Sequence, residues 1–166
     1  MVTGGIKKVS FYLFVFIFLL PLTTCQENYV DKVSVENKEN LIFVYEIVRY
    51  PAKIDVMNLD KSNLKLGVSV DPTIIDFGRI YEGMSGKRYI NIFNNKDFIY
   101  KATLSSRGNI SSMIEFEKNN FLIKERETLN ISVTAKPINP GSYTGEIDVV
   151  LKRMKYPIFN WLLKWL

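Results

Sequence analysis

The chain has 166 residues, 47% of them hydrophobic and 23% charged, a balance that suits a packed core and excludes a disordered segment. It has no histidine and one cysteine, Cys25, so a histidine base, an intrachain disulfide and a Cys/His zinc site are excluded. The net charge of +5 falls to +3 without Lys7 and Lys8, and no aromatic-interleaved basic patch exists, which argues against a nucleic-acid partner.

Residues 1–25 have the order of a secretory signal. Lys7 and Lys8 supply the positive start, and the apolar run Phe11 to Leu22 follows, interrupted by Pro21. The run is about half of the roughly 20 residues that a spanning helix needs. A cleaved signal peptide and a retained N-terminal anchor helix are both compatible with it. Leu22-Thr23-Thr24-Cys25 resembles a lipobox, in which the cysteine is lipidated after cleavage; Thr24 stands where that motif prefers a smaller residue. Simple cleavage next to Cys25, leaving Gln26 as the mature terminus, is the alternative.

Residues 26–63 read as an N-terminal extension with one or two strands. A polar stretch, Gln26 to Asn40, surrounds a short strand at Val33 to Val35. Leu41 to Tyr50 is apolar, β-branched and aromatic, and predicts a strand that Pro51 ends. Ile54 to Met57 predicts another short one. Asn58 to Asn63 is rich in turn formers.

Leu64 to Val70 alternates and opens the main domain, residues 64–151. Pro72 suits a strand edge. Ile74, Ile75 and Phe77 form a short apolar run, and Gly78, Gly83 and Gly86 mark the places where the chain turns. Arg88 to Asn94 alternates, with Ile90 and Ile92 on one face and Tyr89, Asn91 and Phe93 on the other. Phe98 to Leu104 alternates again, and Ser105 to Ser112 reads as a polar loop. Met113 to Phe116 and Phe121 to Ile123 predict short strands. Leu129, Ile131, Val133 and Ala135 share a face, as do Tyr143, Gly145, Ile147, Val149 and Leu151. Short strands separated by turn signals, with no amphipathic helix between them, predict an all-β antiparallel sandwich and not a parallel α/β sheet.

Asp76-Phe77-Gly78-Arg79-Ile80-Tyr81-Glu82-Gly83, followed by Ile90 to Asn94, is similar to the opening motif of the abnormal-spindle/hydin-type and major-sperm-protein-like immunoglobulin superfamily. Pro140-Gly141-Ser142-Tyr143-Thr144-Gly145-Glu146-Ile147 resembles the segment that introduces the last strand of those domains. The resemblance covers about residues 65–151. It implies an immunoglobulin-like sandwich of seven or eight strands used as a scaffold or adhesion module, and it brings no catalytic residues.

Few residues are candidates for chemistry. Asn109-Ile110-Ser111 and Asn130-Ile131-Ser132 are sequons, so Asn109 and Asn130 are glycosylation candidates or unmodified surface asparagines. Cys25 is the lipidation candidate. The carboxylates Glu115, Glu117, Glu125, Glu127, Asp71 and Asp76 lack a calcium-loop spacing and read as solvated faces and turns. Gly83-Met84-Ser85-Gly86-Lys87 lacks the P-loop spacing. No catalytic, metal or cofactor residue is expected.

The tail, residues 152–166, is basic and then apolar. Wound as an α-helix, Pro157 to Leu166 would show a wide apolar arc with Asn160 and Lys164 on a narrow polar side. Trp161 and Trp165 make it a membrane-interface candidate; docking to a partner and folding back on the sandwich are the other readings. The expectation is an exported, non-catalytic module at the cell envelope, secreted or membrane-tethered, with protein partners and no small-molecule substrate. A chaperone-like assembly factor that binds by strand addition is the alternative, and a carboxylate-dependent hydrolase a remoter one.

Overall fold

A computed structural model describes residues 29–58 and 73–165. The predicted strand Leu64 to Val70, the signal or anchor helix of residues 1–25, and Cys25 lie outside the described residues.

Among the described residues nine strands form two sheets: β1 (Ser34–Glu39), β2 (Phe43–Met57), β3 (Ile75–Tyr81), β4 (Gly86–Phe93), β5 (Tyr100–Gly108), β6 (Ile114–Phe116), β7 (Phe121–Ile123), β8 (Thr128–Ala135) and β9 (Gly141–Met154). The larger sheet has the order β1-β2-β9-β5-β7, with β3 also on β2; the smaller has the order β4-β8-β6. All pairs are antiparallel except β2 with β3, which are parallel. The described residues are therefore mostly β, with antiparallel sheets consistent with an all-β sandwich, and the core lies between the sheets. Ile54, Phe77, Leu104 and Ile147 on the larger sheet share one buried cluster with Ile90, Ile92, Ile131 and Val133 on the smaller.

Alternation fixes which face each strand buries. Ile90 and Ile92 are buried, and Tyr89 and Phe93 stay exposed, as their period of two requires. Ile131, Val133 and Ala135 on β8, and Ile147, Val149 and Leu151 on β9, are likewise buried, but so are Ser132, Glu146 and Asp148 on the opposite faces.

The two strands expected on either side of Pro51 are one strand of 15 residues. Pro51 is buried within β2 and does not end it. On one side β2 pairs with β9 along its length. On the other, β1 pairs as far as Arg49 and β3 begins at Ala52. Tyr50 and Pro51 fall in the gap between those neighbours, where a residue without an N–H loses least. Two further differences are smaller. The strand expected at Val33 to Val35 runs on to Glu39, and the loop expected at Ser105 to Ser112 begins only after Gly108, because Ser105 to Gly108 pair with β9.

The Asp-Phe-Gly motif has a structural job. Between Lys53↔Asp76 and Asp55↔Arg79, β3 carries one extra residue, a β-bulge. Gly78 sits there at φ 74°, a conformation that disfavours side chains. The Asp76 carboxylate accepts the Gly78 N–H at 2.7 Å, and Phe77 is buried in the core.

Candidate functional site

The strands β2 and β9, of 15 and 14 residues, are longer than the eight-residue strands of the smaller sheet. Burial on β2 changes accordingly. Beyond Pro51 it alternates between buried and exposed, whereas Phe43 to Tyr50 are half-buried throughout. The inner face of the larger sheet thus projects past the smaller one, and the step between them forms a groove.

Its volume is about 540 Å³. Val44 and Glu46 of β2, Leu151 and Arg153 of β9, and Tyr100 of β5 form its floor; Phe93 and the following loop form a wall. The Arg153 guanidinium lies over the Phe98 ring, 4.6 Å from the ring centre. Such stacking fixes the cation's plane, and Nη1 also donates to the Met154 carbonyl at 3.1 Å. The Tyr100 hydroxyl lies 3.5 Å from the Glu46 carboxylate. Burial raises the Tyr100 pKa, and the Glu46 charge raises it further, so the phenol stays a neutral donor at physiological pH. The groove therefore offers an acceptor carboxylate, a guanidinium donor and apolar side chains side by side. An extended peptide, with its alternating N–H and C=O groups, needs that mixture.

A second cluster lies on the opposite, outer face of β9. Glu146 and Asp148 are two residues apart, share that face and are buried. Arg107 Nη2 donates to Glu146 at 3.0 Å and to Asp148 at 2.8 Å. Arg49 lies 3.7 Å from Asp148 through Nε and 2.8 Å from Glu36 through Nη2. The Val30 N–H donates to Glu146 at 2.6 Å and so ties the N-terminal segment to the sheet. Burial pushes the Asp148 pKa up, opposed by Arg107 and Arg49. Glu146 is committed to guanidinium and backbone donors, and Asp148 holds Arg107 through Oδ2, while its buried Oδ1 and the Arg49 Nε make no hydrogen bond; the arrangement fastens strands together.

Alternation alone assigns Glu146 and Asp148 to solvent. They are buried because β9 is central, with Arg49 arriving from β2 and Arg107 from β5 at facing positions: Arg49↔Asp148 and Arg107↔Glu146. Nothing short of the strand register reveals that cluster.

The carboxylates noted in the sequence do not converge. Glu115 pairs with Lys136 at 2.6 Å, Glu117 accepts the Ser132 N–H, and Glu127 accepts the Lys124 N–H. Asp76 caps the bulge and pairs with Lys53 at 3.1 Å; Asp71 lies outside the described residues. Among the described residues no group of three or more His, Cys, Asp or Glu side chains could hold a metal ion. Asn109 and Asn130 are both exposed. The Asn109 side-chain oxygen accepts the Thr144 N–H at 2.7 Å, so that amide is held in one orientation.

The tail is helical but wound differently from expectation. Pro157–Lys164 is a 3-10 helix, in which side chains align every three residues. Asn160, half-buried, therefore shares a row with Leu163, which is buried, and Trp161 and Trp165 are exposed. Among the described residues no helix is long and apolar enough to cross a membrane.

Comparison of the chain with family models, curated proteins and solved structures found no match.

Proposed function

We propose that this chain is an exported, non-catalytic β-sandwich of immunoglobulin-like topology that works at the cell envelope by holding a protein segment in the groove beneath the smaller sheet. The observation that carries the reading is the step between the sheets. It leaves Val44, Glu46, Tyr100 and Arg153 facing an open trough in place of a second layer. A trough lined by both hydrogen-bonding and apolar groups suits a polypeptide, and its polar groups are held by stacking and by the sheet. Export rests on the charged-then-apolar order of residues 1–25.

The immunoglobulin-like assignment rests on strand order. In that fold A, B, E and D share one sheet and C, F and G the other. Here β4, β8 and β6 would stand for B, E and D, and β5 and β9 for C and F. The place beside F falls to β2, which precedes all of them in the chain. In this reading the sandwich is closed by its own N-terminal strand.

A photoreactive phenylalanine analogue at Phe93, on the groove wall, tests the binding site. In cells it is expected to crosslink one reproducible protein, and the same analogue at Tyr89, exposed on the same strand outside the groove, is expected not to. Equal crosslinking at both positions, or none at either, defeats the groove. Intact mass tests export: the mature chain is expected to begin near Gln26 or to carry lipid on Cys25. Recovery of the full-length chain from the cytoplasm alone would remove the envelope from the proposal.

Strand addition is the second reading, and one observation favours it. Among the described residues, β4 pairs only with β8, which leaves its other edge open. The edge of β5 at Leu104 is closed, since the Asn119 side chain both donates to and accepts from the Leu104 backbone at 2.8 Å.

A further inference from the structure

We infer that the C-terminal 3-10 helix and the adjoining β1–β2 turn form a rigid foot that docks on an anionic lipid bilayer surface. The inference is independent of the groove. Three observations carry it.

The first is the winding. A period of three puts Pro157, Asn160 and Leu163 in one row. Leu163, 1% exposed, faces the body, and the helix packs against β9. Leu162 is half-buried, and the exposed side chains are Ile158 at 77%, Trp161 at 61% and, just past the helix, Trp165 at 84%. Exposed apolar side chains on a helix anchored through Leu163 form a fixed surface, not a loose tail.

The second is its continuity with the turn that follows β1. The Lys155 N–H donates to the Ile42 carbonyl at 2.7 Å, and Lys155 Nζ lies 3.3 Å from Glu39. Asn40 holds the turn by accepting the Ile42 and Phe43 N–H groups at 3.0 and 2.7 Å. Leu41, 81% exposed, therefore stands beside the root of the tail. Two tryptophans among aliphatic residues are the composition that favours the headgroup region of a bilayer over its interior.

The third is charge. Lys101 and Lys152 are direct register partners on β5 and β9, so two ammonium groups face each other across the sheet. Such a pair is unfavourable by itself. Burial lowers the Lys152 pKa first and the Lys101 charge lowers it further. Lys152 also rests over the Phe43 ring at 4.7 Å, one residue from the turn. Phosphate headgroups beside these lysines would relieve the repulsion while the tryptophans enter the interface. A neutral protein surface would not.

Trp161 and Trp165 are the two tryptophans of the whole chain, so tryptophan emission reports on this foot alone. The full-length protein would be mixed with vesicles of phosphatidylcholine, with and without phosphatidylglycerol, some carrying brominated lipid. Anionic vesicles are expected to shift the emission to the blue and to allow quenching by shallow bromines. Replacing Lys101 and Lys152 by serine is expected to weaken binding about fivefold for each lysine removed. Protein that floats with vesicles while its emission stays unchanged is held by residues 1–28, and the inference fails. It also fails if neutral vesicles serve equally well or if the lysine variants bind unchanged. Emission that no vesicle moves assigns the patch to a protein contact instead.

Discussion

Replacement of Asn94 by alanine is expected to lower the stability of the sandwich by about 3–5 kcal/mol, a large part of the roughly 5–15 kcal/mol that a domain has in total. Asn94 is 2% exposed. Its Nδ2 donates to the Phe98 carbonyl at 2.7 Å and to the Lys124 carbonyl at 2.8 Å, and its Oδ1 accepts the Lys96 N–H at 3.0 Å. One amide thus joins the β4–β5 loop to the β7–β8 turn, whose Glu127 carbonyl also accepts the Asn94 backbone N–H at 2.9 Å. Alanine strands two carbonyls and one N–H at a part-buried site, at about 1–3 kcal/mol each, with partial relief from relaxation and from water entering by the groove. Aspartate keeps the acceptor and loses both donors, so Asn94→Asp should cost nearly as much. Urea unfolding checks this through the midpoint at constant slope. A loss below about 1 kcal/mol for Asn94→Ala would show that the two loops hold together without the amide.

Arg107→Met is expected to cost about 2 kcal/mol at neutral pH, less than the 3–5 kcal/mol typical of breaking a fully buried pair. The discount reflects the Arg107 side chain, which is half exposed, so that water can reach the vacated position. What remains is the burden of two buried carboxylates, Glu146 and Asp148, that have lost their shared donor.

The loss should depend on pH, and its sign follows from Asp148. Its pKa in the folded protein is raised by burial above the ordinary aspartate value. Between the unfolded and folded pKa values the native state binds the extra proton, so this group's contribution to stability falls as pH rises through that window. Arg107 holds the raised pKa down. Removing it lifts the pKa further and widens the window upward. The difference between wild type and Arg107→Met should therefore shrink on acidification, because a protonated carboxyl no longer needs the guanidinium. Asp148→Asn in the variant background should recover part of the loss at neutral pH and flatten its pH dependence. A difference that is constant with pH would mean that Arg107 acts through packing of its stem and not through its charge.

Both residues illustrate how much of the molecule the sequence discloses. Asn94 closes an alternating strand and stands before a turn, and its place in the opening motif is visible in the sequence. Its three partners, 2 to 30 residues away, are not. Glu146 and Asp148 read as the polar side of a half-buried strand, a sound inference from period two that fails for a strand flanked on both sides. Pro51 reads as a strand end because its missing N–H forbids a complete ladder. The fold tolerates it by placing it where β1 has stopped and β3 has not begun. The groove could not be read at all, since it comes from a mismatch in length between strands of different sheets.

The sequence by itself determined what depends on local periodicity and residue type: strands in place of helices, the core faces of β4, β8 and β9, and the turn marked by Gly83. It also excluded histidine chemistry and an intrachain disulfide by composition. The tertiary structure decided which strands became neighbours: β2 beside β9, a hundred residues on, and the two arginines beside the two buried acids. It also decided the winding of the tail. The period of 3.0 puts half-buried Asn160 in one row with buried Leu163, while Trp161 and Trp165 stay exposed. That winding rests on what the helix packs against, which no local pattern encodes.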